Sequence, residues 1–131
     1  MASRMRKREP DAPKVLLAGD TADLPTIRER LRDCQADASG IVLIEAINAL
    51  QVVPLDAPAG IGVHWLFRER ADAAVEPRGS VLVTAVDTWL DEWMRPEGGV
   101  EVSPWIGARS SEVVDAYARQ LDRELAAGLP A

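Results

Sequence analysis

One cysteine and one histidine in 131 residues leave little material for metal or thiol chemistry. Cys34 alone excludes an intramolecular disulfide, and with His64 as the only histidine a zinc site built from several Cys and His is excluded too. No apolar run approaches the ~18 residues of a membrane span, and residues 1–14 lack the apolar centre of a secretory signal. The expectation is a cytoplasmic protein with no membrane partner. The fingerprints G-x-G-x-x-G, G-x-x-x-x-G-K-S/T and G-x-S-x-G are all missing, so the ordinary dinucleotide, nucleotide and hydrolase motifs fail. Basic charge is scarce as well: the formal net charge is −6. Five of the bases (Arg4, Arg6, Lys7, Arg8, Lys14) crowd into the first 14 residues with only Glu9 and Asp11 opposing them, so the rest is more acidic still. An acidic body argues against nucleic acid, because phosphate neutralisation supplies most of that affinity. Residues 1–13 read as a solvated basic tail, with an anionic surface as the alternative use. Residues 14–131 read as a single domain, long enough to bury a core.

What is present is an alternation of short apolar runs and amphipathic helices. Lys14–Ala18 is a continuous apolar run suited to a parallel strand. A helix follows from Asp23 to Asp33, with Leu24, Ile27 and Leu31 on one face and Pro25 in the first turn, where its missing N–H costs nothing. Residues 41–46 (IVLIEA) form a second strand, residues 48–58 a mixed stretch with a short helical turn, and Gly60–Phe67 a third strand. Residues 69–79 are a polar loop. Ser80 is a candidate cap for a helix with the apolar face Leu82, Val86, Trp89, Leu90 and Trp93, stopped by residues 96–99. A fourth strand, residues 100–107, contains Pro104, which suits an edge. Ser110 or Ser111 caps a last helix with the stripe Val113, Val114, Tyr117, Leu121 and Leu125, ended by Gly128 and Pro130. The order predicts an α/β three-layer sandwich around a mainly parallel, Rossmann-like sheet of about four strands.

Ligands of such sheets sit at the carboxyl ends of the strands, near the point where strand order reverses. That rim comprises residues 19–23, 46–48, 68–70 and 107–110. Its most informative part is residues 15–27, VLLAGDTADLPTI: an apolar strand stops at Gly19 and turns through small and acidic residues into a helix. Such a turn offers close backbone approach and free N–H groups to a phosphate. Asp23, however, sets a negative charge in the first helical turn, which stabilises the helix and repels phosphate. Arg68 and Arg70 end the third strand and could reach a 2′-phosphate, or simply be solvated. Arg109 could bind phosphate, or pair with Glu112. His64 reads as a packed core histidine rather than a base, Cys34 as an incidental thiol, and Asp91 with Glu92 as a solvated pair. Part of the face bearing Trp93 and Met94 is a candidate contact patch.

The run "AGDxxxLPxI" resembles the opening of the NAD(P)H domain of siderophore-interacting proteins, the flavin-dependent ferric-siderophore reductases, where it typically reads AGDETALPAI. Gly19, Asp20, Leu24, Pro25 and Ile27 match it. Glu45 in "IEA", Pro54-Leu55, Pro58-Ala59-Gly60 and the run Val63 to Arg68 resemble the family's "IEVAD…PL…PAGVEVTWLHR". Trp105 to Ser110 aligns with its "WVAGEA". The resemblance runs at consistent spacing through residues 15–125 and implies the fold of a ferredoxin-reductase NAD(P) domain. In the family an N-terminal barrel holds FAD, and this second domain presents NAD(P)H to it. Electrons then pass to a ferric siderophore. This chain departs from the pattern in three ways. The expectation is that no flavin barrel precedes the first strand in this chain, and the sequence lacks the family's Arg-x-Tyr-Ser/Thr motif. The family's Glu-Thr-Ala is Thr21-Ala22-Asp23 here, and its Gly-Glu is Ala108-Arg109. The aromatic ending of the family is not found.

Two readings follow from the resemblance. In one, a stand-alone domain binds NADPH or NADH through Gly19, Asp20, Thr21, Arg68 and Arg109, holds no FAD and no metal, and docks on a separate flavin-binding protein or a second copy of itself. It would then be at most the nucleotide-binding component of a reductase, with no catalytic residue of its own. In the other, a non-catalytic interaction or regulatory domain has kept the fold and lost the nucleotide. A fragment of a longer reductase is a third possibility.

Overall fold

A computed structural model describes residues 12–128. Most of the basic tail, and Pro130 as a helix stop, lie outside the described residues. The chain runs β1 (Lys14–Asp20), α1 (Leu24–Arg32), β2 (Ser39–Ala46), β3 (Gly60–Phe67), α2 (Ser80–Trp93), β4 (Val102–Ile106) and α3 (Glu112–Ala127), with 3₁₀ turns at Thr21–Asp23 and Ala49–Gln51. All strand pairings are parallel, in the order β3-β2-β1-β4. Three strands are laid down outward from β1, and the chain then returns across them to place β4 on the other side. Strand order therefore reverses between β1 and β4.

The two central strands are buried on both faces, which is why they read as unbroken apolar runs. Alternation sends Leu17, Val42, Ile44 and Ile61 to one side, where they pack with Ile27 and Leu31 of α1. Leu16, Ala18, Leu43 and Val102 face the other way, against Leu82, Val86 and Leu90 of α2 and Val114 and Leu121 of α3. The expected three-layer α/β sandwich is the fold observed. Pro104 is tolerated because β4 lies at the edge of the sheet.

Several local expectations are corrected. β1 runs on through Gly19 and Asp20, which stay in register with Ile44 and Glu45. Ser80 does not cap α2. The cap position is Gly79, at φ 93°, a left-handed conformation that glycine adopts without strain. Its N–H and that of Leu82 are taken instead by the buried side chain of Glu45. Ser111, rather than Ser110, caps α3 through the N–H of Val114. Val113 is 48% exposed, so the buried stripe of α3 is Val114, Ala118 and Leu121. Trp93 is 39% exposed, with Trp89 beside it and the Lys14 ammonium 4.7 Å from its ring centre.

The outer surfaces of α2 and α3 are joined through Arg95. Its guanidinium donates to Asp87 (2.7 Å), Asp91 (2.8 Å) and Glu124 (2.9 and 3.0 Å), while the Tyr117 hydroxyl donates to Asp87 at 2.8 Å. These bonds hold the Asp87 carboxyl below the usual carboxylate range, and burial pushes the Tyr117 phenol up to about 12.

Candidate functional site

The rim between β1 and β4 is built around one carboxyl group. β1 delivers Asp20 to the edge of the sheet, and the chain turns at once through Thr21–Asp23. The turn is a capping box: Asp20 Oδ1 accepts the N–H of Ala22 at 3.0 Å, and Asp23 Oδ2 accepts the N–H of Asp20 at 2.9 Å. Although Asp23 also stands at the cap position of α1, its side chain makes no bond to that helix. Instead the same Oδ2 accepts the N–H of Ala108, 2.8 Å away on the turn after β4. One oxygen thus joins two segments 85 residues apart in sequence.

The glycines on either side make room for it. A Cβ on Gly19 would lie 2.6 Å from Asp23 Oδ2, and one on Gly107 would lie 2.6 Å from Asp23 Cγ. Ala108 sits at φ 56°, a left-handed conformation disfavoured for any residue with a Cβ. The family's glycine at this position, expected from the resemblance, suits that geometry better. Burial pushes the Asp23 carboxyl up, and the negative Asp20 adds to the shift. The N–H groups of Asp20 and Ala108 pull the other way without cancelling it.

A residue that sequence reasoning missed lies across the same two loops. Arg78 Nη2 donates to Asp20 Oδ2 at 3.0 Å and to Ser110 Oγ at 2.6 Å. It belongs to the β3–α2 loop, 58 positions from Asp20. One signal for it exists in the sequence: a guanidinium two residues before a helix N-terminus opposes the dipole, so it needs another reason to be there.

The other site residues named from sequence do not converge here. Gly19, Asp20 and Thr21 are at the switch point. Arg68 follows β3, which is separated from β1 by β2 and hence by roughly 10 Å. Its Nε donates to the Glu76 carbonyl at 3.1 Å, within its own loop, and Arg70 pairs with the Glu76 side chain. Arg109 points outward to Asp115 at 2.8 Å, rather than to Glu112, and Asp115 is shared with Arg119. His64, expected in the core, is instead exposed, because its side of the edge strand β3 is not covered at that position. The Cys34 thiol donates to the Arg30 carbonyl at 3.4 Å, and burial pushes its pKa up, away from reactive thiolate. Among the described residues no three His, Cys, Asp or Glu side chains are grouped to hold a metal ion.

Residues 12–127 match the family model described as siderophore-interacting protein. The chain belongs to the siderophore-interacting protein family. Uncharacterised proteins from Mycobacterium tuberculosis and Mycobacterium bovis are 36% identical to it over 88 residues, which is 63% of this chain and 31% of each relative. The crystal structure of a siderophore utilization protein from T. fusca has a TM-score of 0.65 and 26% identity, covering 95% of this chain and 42% of that one. The chain therefore spans about a third of the curated relatives it matches.

Membership in the siderophore-interacting protein family makes NADPH or NADH the cofactor to test against the geometry. The two N–H groups that a nucleotide phosphate would meet at the switch point are both satisfied by Asp23, whose carboxyl fills the space between Gly19 and Gly107. Arg68 and Arg109 are turned to partners of their own, and Arg78 is paired with Asp20. As arranged, these residues do not fit a pyrophosphate. Among the described residues no helix is long and apolar enough to cross a membrane.

Proposed function

We propose that this chain is a non-redox interaction domain of ferric-siderophore handling. It keeps the α/β fold of its family, works without a bound nicotinamide nucleotide, and docks on a separate flavin-bearing partner. The observation that carries the reading is the Asp23 carboxyl, which bridges the ends of β1 and β4 where a phosphate would sit. Exposed apolar side chains on the same edge of the sheet support the docking half. Leu50, in the turn after β2, is 93% exposed, and Ile47, the first residue past β2, and Phe67, the last of the paired strand β3, are exposed too.

The test is calorimetric titration of the purified protein with NADPH and with NADH. No heat at millimolar nucleotide is expected. Sub-millimolar binding that weakens on Arg68→Ala would return the domain to the nucleotide-presenting role.

A further inference from the structure

We propose that Asp23 is a built-in plug: by occupying the crevice between β1 and β4 it is the single group that closes this family fold to phosphate. The proposal rests on the reading above and gives its physical cause.

The bond from Asp20 to Asp23 is local and would be made by any capping box. The bond from Ala108 is not. It requires the turn after β4 to hold Ala108 in a left-handed conformation, and it requires glycine at both 19 and 107. Those features describe a crevice shaped for a group of carboxylate or phosphate size approached by two backbone N–H groups. The occupant happens to be covalently attached. A carboxylate tethered three residues from its N–H partner acts at a far higher effective concentration than a free anion in solution. An external phosphate must therefore displace it, and must also enter beside the negative Asp20. The positive charge that would receive such a ligand is Arg78, held across the mouth by Asp20 and Ser110.

Occupancy and charge make different predictions, because both N–H groups converge on one oxygen, Oδ2. An asparagine at 23 keeps that oxygen as an amide carbonyl. It removes the charge and leaves the crevice filled. An alanine empties it.

The experiment follows the thermal midpoint and the heat of binding of wild type, Asp23→Asn and Asp23→Ala, with inorganic pyrophosphate as the probe and NADPH as a second ligand. Asp23→Ala should lose stability and recover it saturably with pyrophosphate, by about 3 °C or more. Its pyrophosphate affinity should exceed that of wild type by at least roughly tenfold. Wild type and Asp23→Asn should show no shift; wild type carries the same arginines, so it subtracts binding elsewhere on the chain. If Asp23→Ala does not fold, Asp23→Ser carries the same test, since a serine can still serve Asp20 and is too short to reach Ala108. The plug is overturned if the emptied variant gains nothing over wild type. It is also overturned if Asp23→Asn gains as much as Asp23→Ala, which would assign the effect to charge alone. Tight NADPH binding by wild type would sink both the plug and the function proposed above, whereas no pyrophosphate gain in Asp23→Ala, with no NADPH binding by wild type, would sink the plug alone.

Discussion

Two carboxyl groups at the same edge of the sheet do formally similar work with opposite consequences. Glu45, at the end of β2, and Asp23, just past the end of β1, each accept two backbone N–H groups: those of Glu45 both come from the start of α2, and those of Asp23 from the turn after β1 and the turn after β4. Glu45 divides the task between its oxygens: Oε2 takes Gly79 and Oε1 takes Leu82. It is 3% exposed and enclosed by the β2–α2 layer, so it fixes where α2 begins. Asp23 spends one oxygen on both donors and sits at a half-open mouth with glycine on either side. A carboxylate inside a fold can thus be a structural cap or an occupant of a binding crevice. The surroundings, rather than the number of bonds, decide which.

The largest effect should come from breaking the enclosed member. Glu45→Ala leaves two buried N–H donors at the start of α2 without partners and should cost about 3 kcal/mol, read as a fall in the urea midpoint with unchanged slope. Glu45→Gln should remain costly, because the amide carries one acceptor and one NH₂ group, and the latter would face an N–H. Asp23→Asn should be far milder, since a single carbonyl oxygen reproduces both bonds. Equal losses for the two amide variants would erase the distinction.

A smaller effect separates the two groups by pH. The folded chain raises the Asp23 pKa above its ordinary 3.8, so between that value and the raised one the native state holds a proton the unfolded state has released. Stability from this group is therefore gained as pH falls through that window, and the cost of its charge is fully present above it. Asp87 and Asp115, whose pKa values are lowered, act in the opposite sense: their contribution is present above 3.8 and is lost on acidification. Asp23→Asn leaves both of those pairs in place. The stability of the variant relative to wild type should thus rise as pH climbs through the window and level off above it, in urea melts run from mildly acidic to neutral pH. A flat difference would mean that Asp23 is not held against its charge.

The strands and helices were legible because burial on both faces writes itself as unbroken runs, Leu16-Leu17-Ala18 and Ile41 to Ile44, and because Gly60–Phe67 alternates. Strand ends were less legible: Gly19, Asp20, Ser39 and Gly40 are not apolar, and they are strand only because a neighbour pairs with them. The phase of α3 was misread at Val113, where a hydrophobic residue faces solvent. At the site, the glycine and acid after β1 and the phosphate-repelling position of Asp23 could be read locally. That Asp23 would reach Ala108 could not, because the parallel register of β1 with β4 sets that contact and no local pattern encodes it. Glu45 stood in plain view as the one charge in an apolar strand, yet its partners lie 34 and 37 positions away. Arg68 and Arg109 were placed at the correct edge, but loop geometry chose their partners.

The smallest expected effect concerns Arg109, and it sharpens what the mouth of the crevice is made of. Its guanidinium is directed at Asp115, on the exposed start of α3, and Asp115 keeps Arg119 when Arg109 is removed. Exposed pairs of this kind contribute little, so Arg109→Ala should leave the denaturation midpoint of wild type unchanged. Placed in the Asp23→Ala background, it should also leave the pyrophosphate gain unchanged, because an arginine committed to α3 faces away from the emptied space. Arg78→Ala in that background should abolish most of the gain, since Arg78 is the cation that spans Asp20 and Ser110. If Arg109→Ala removed the gain and Arg78→Ala did not, the anion would be entering from the α3 side, and the position of the crevice mouth would have to be redrawn.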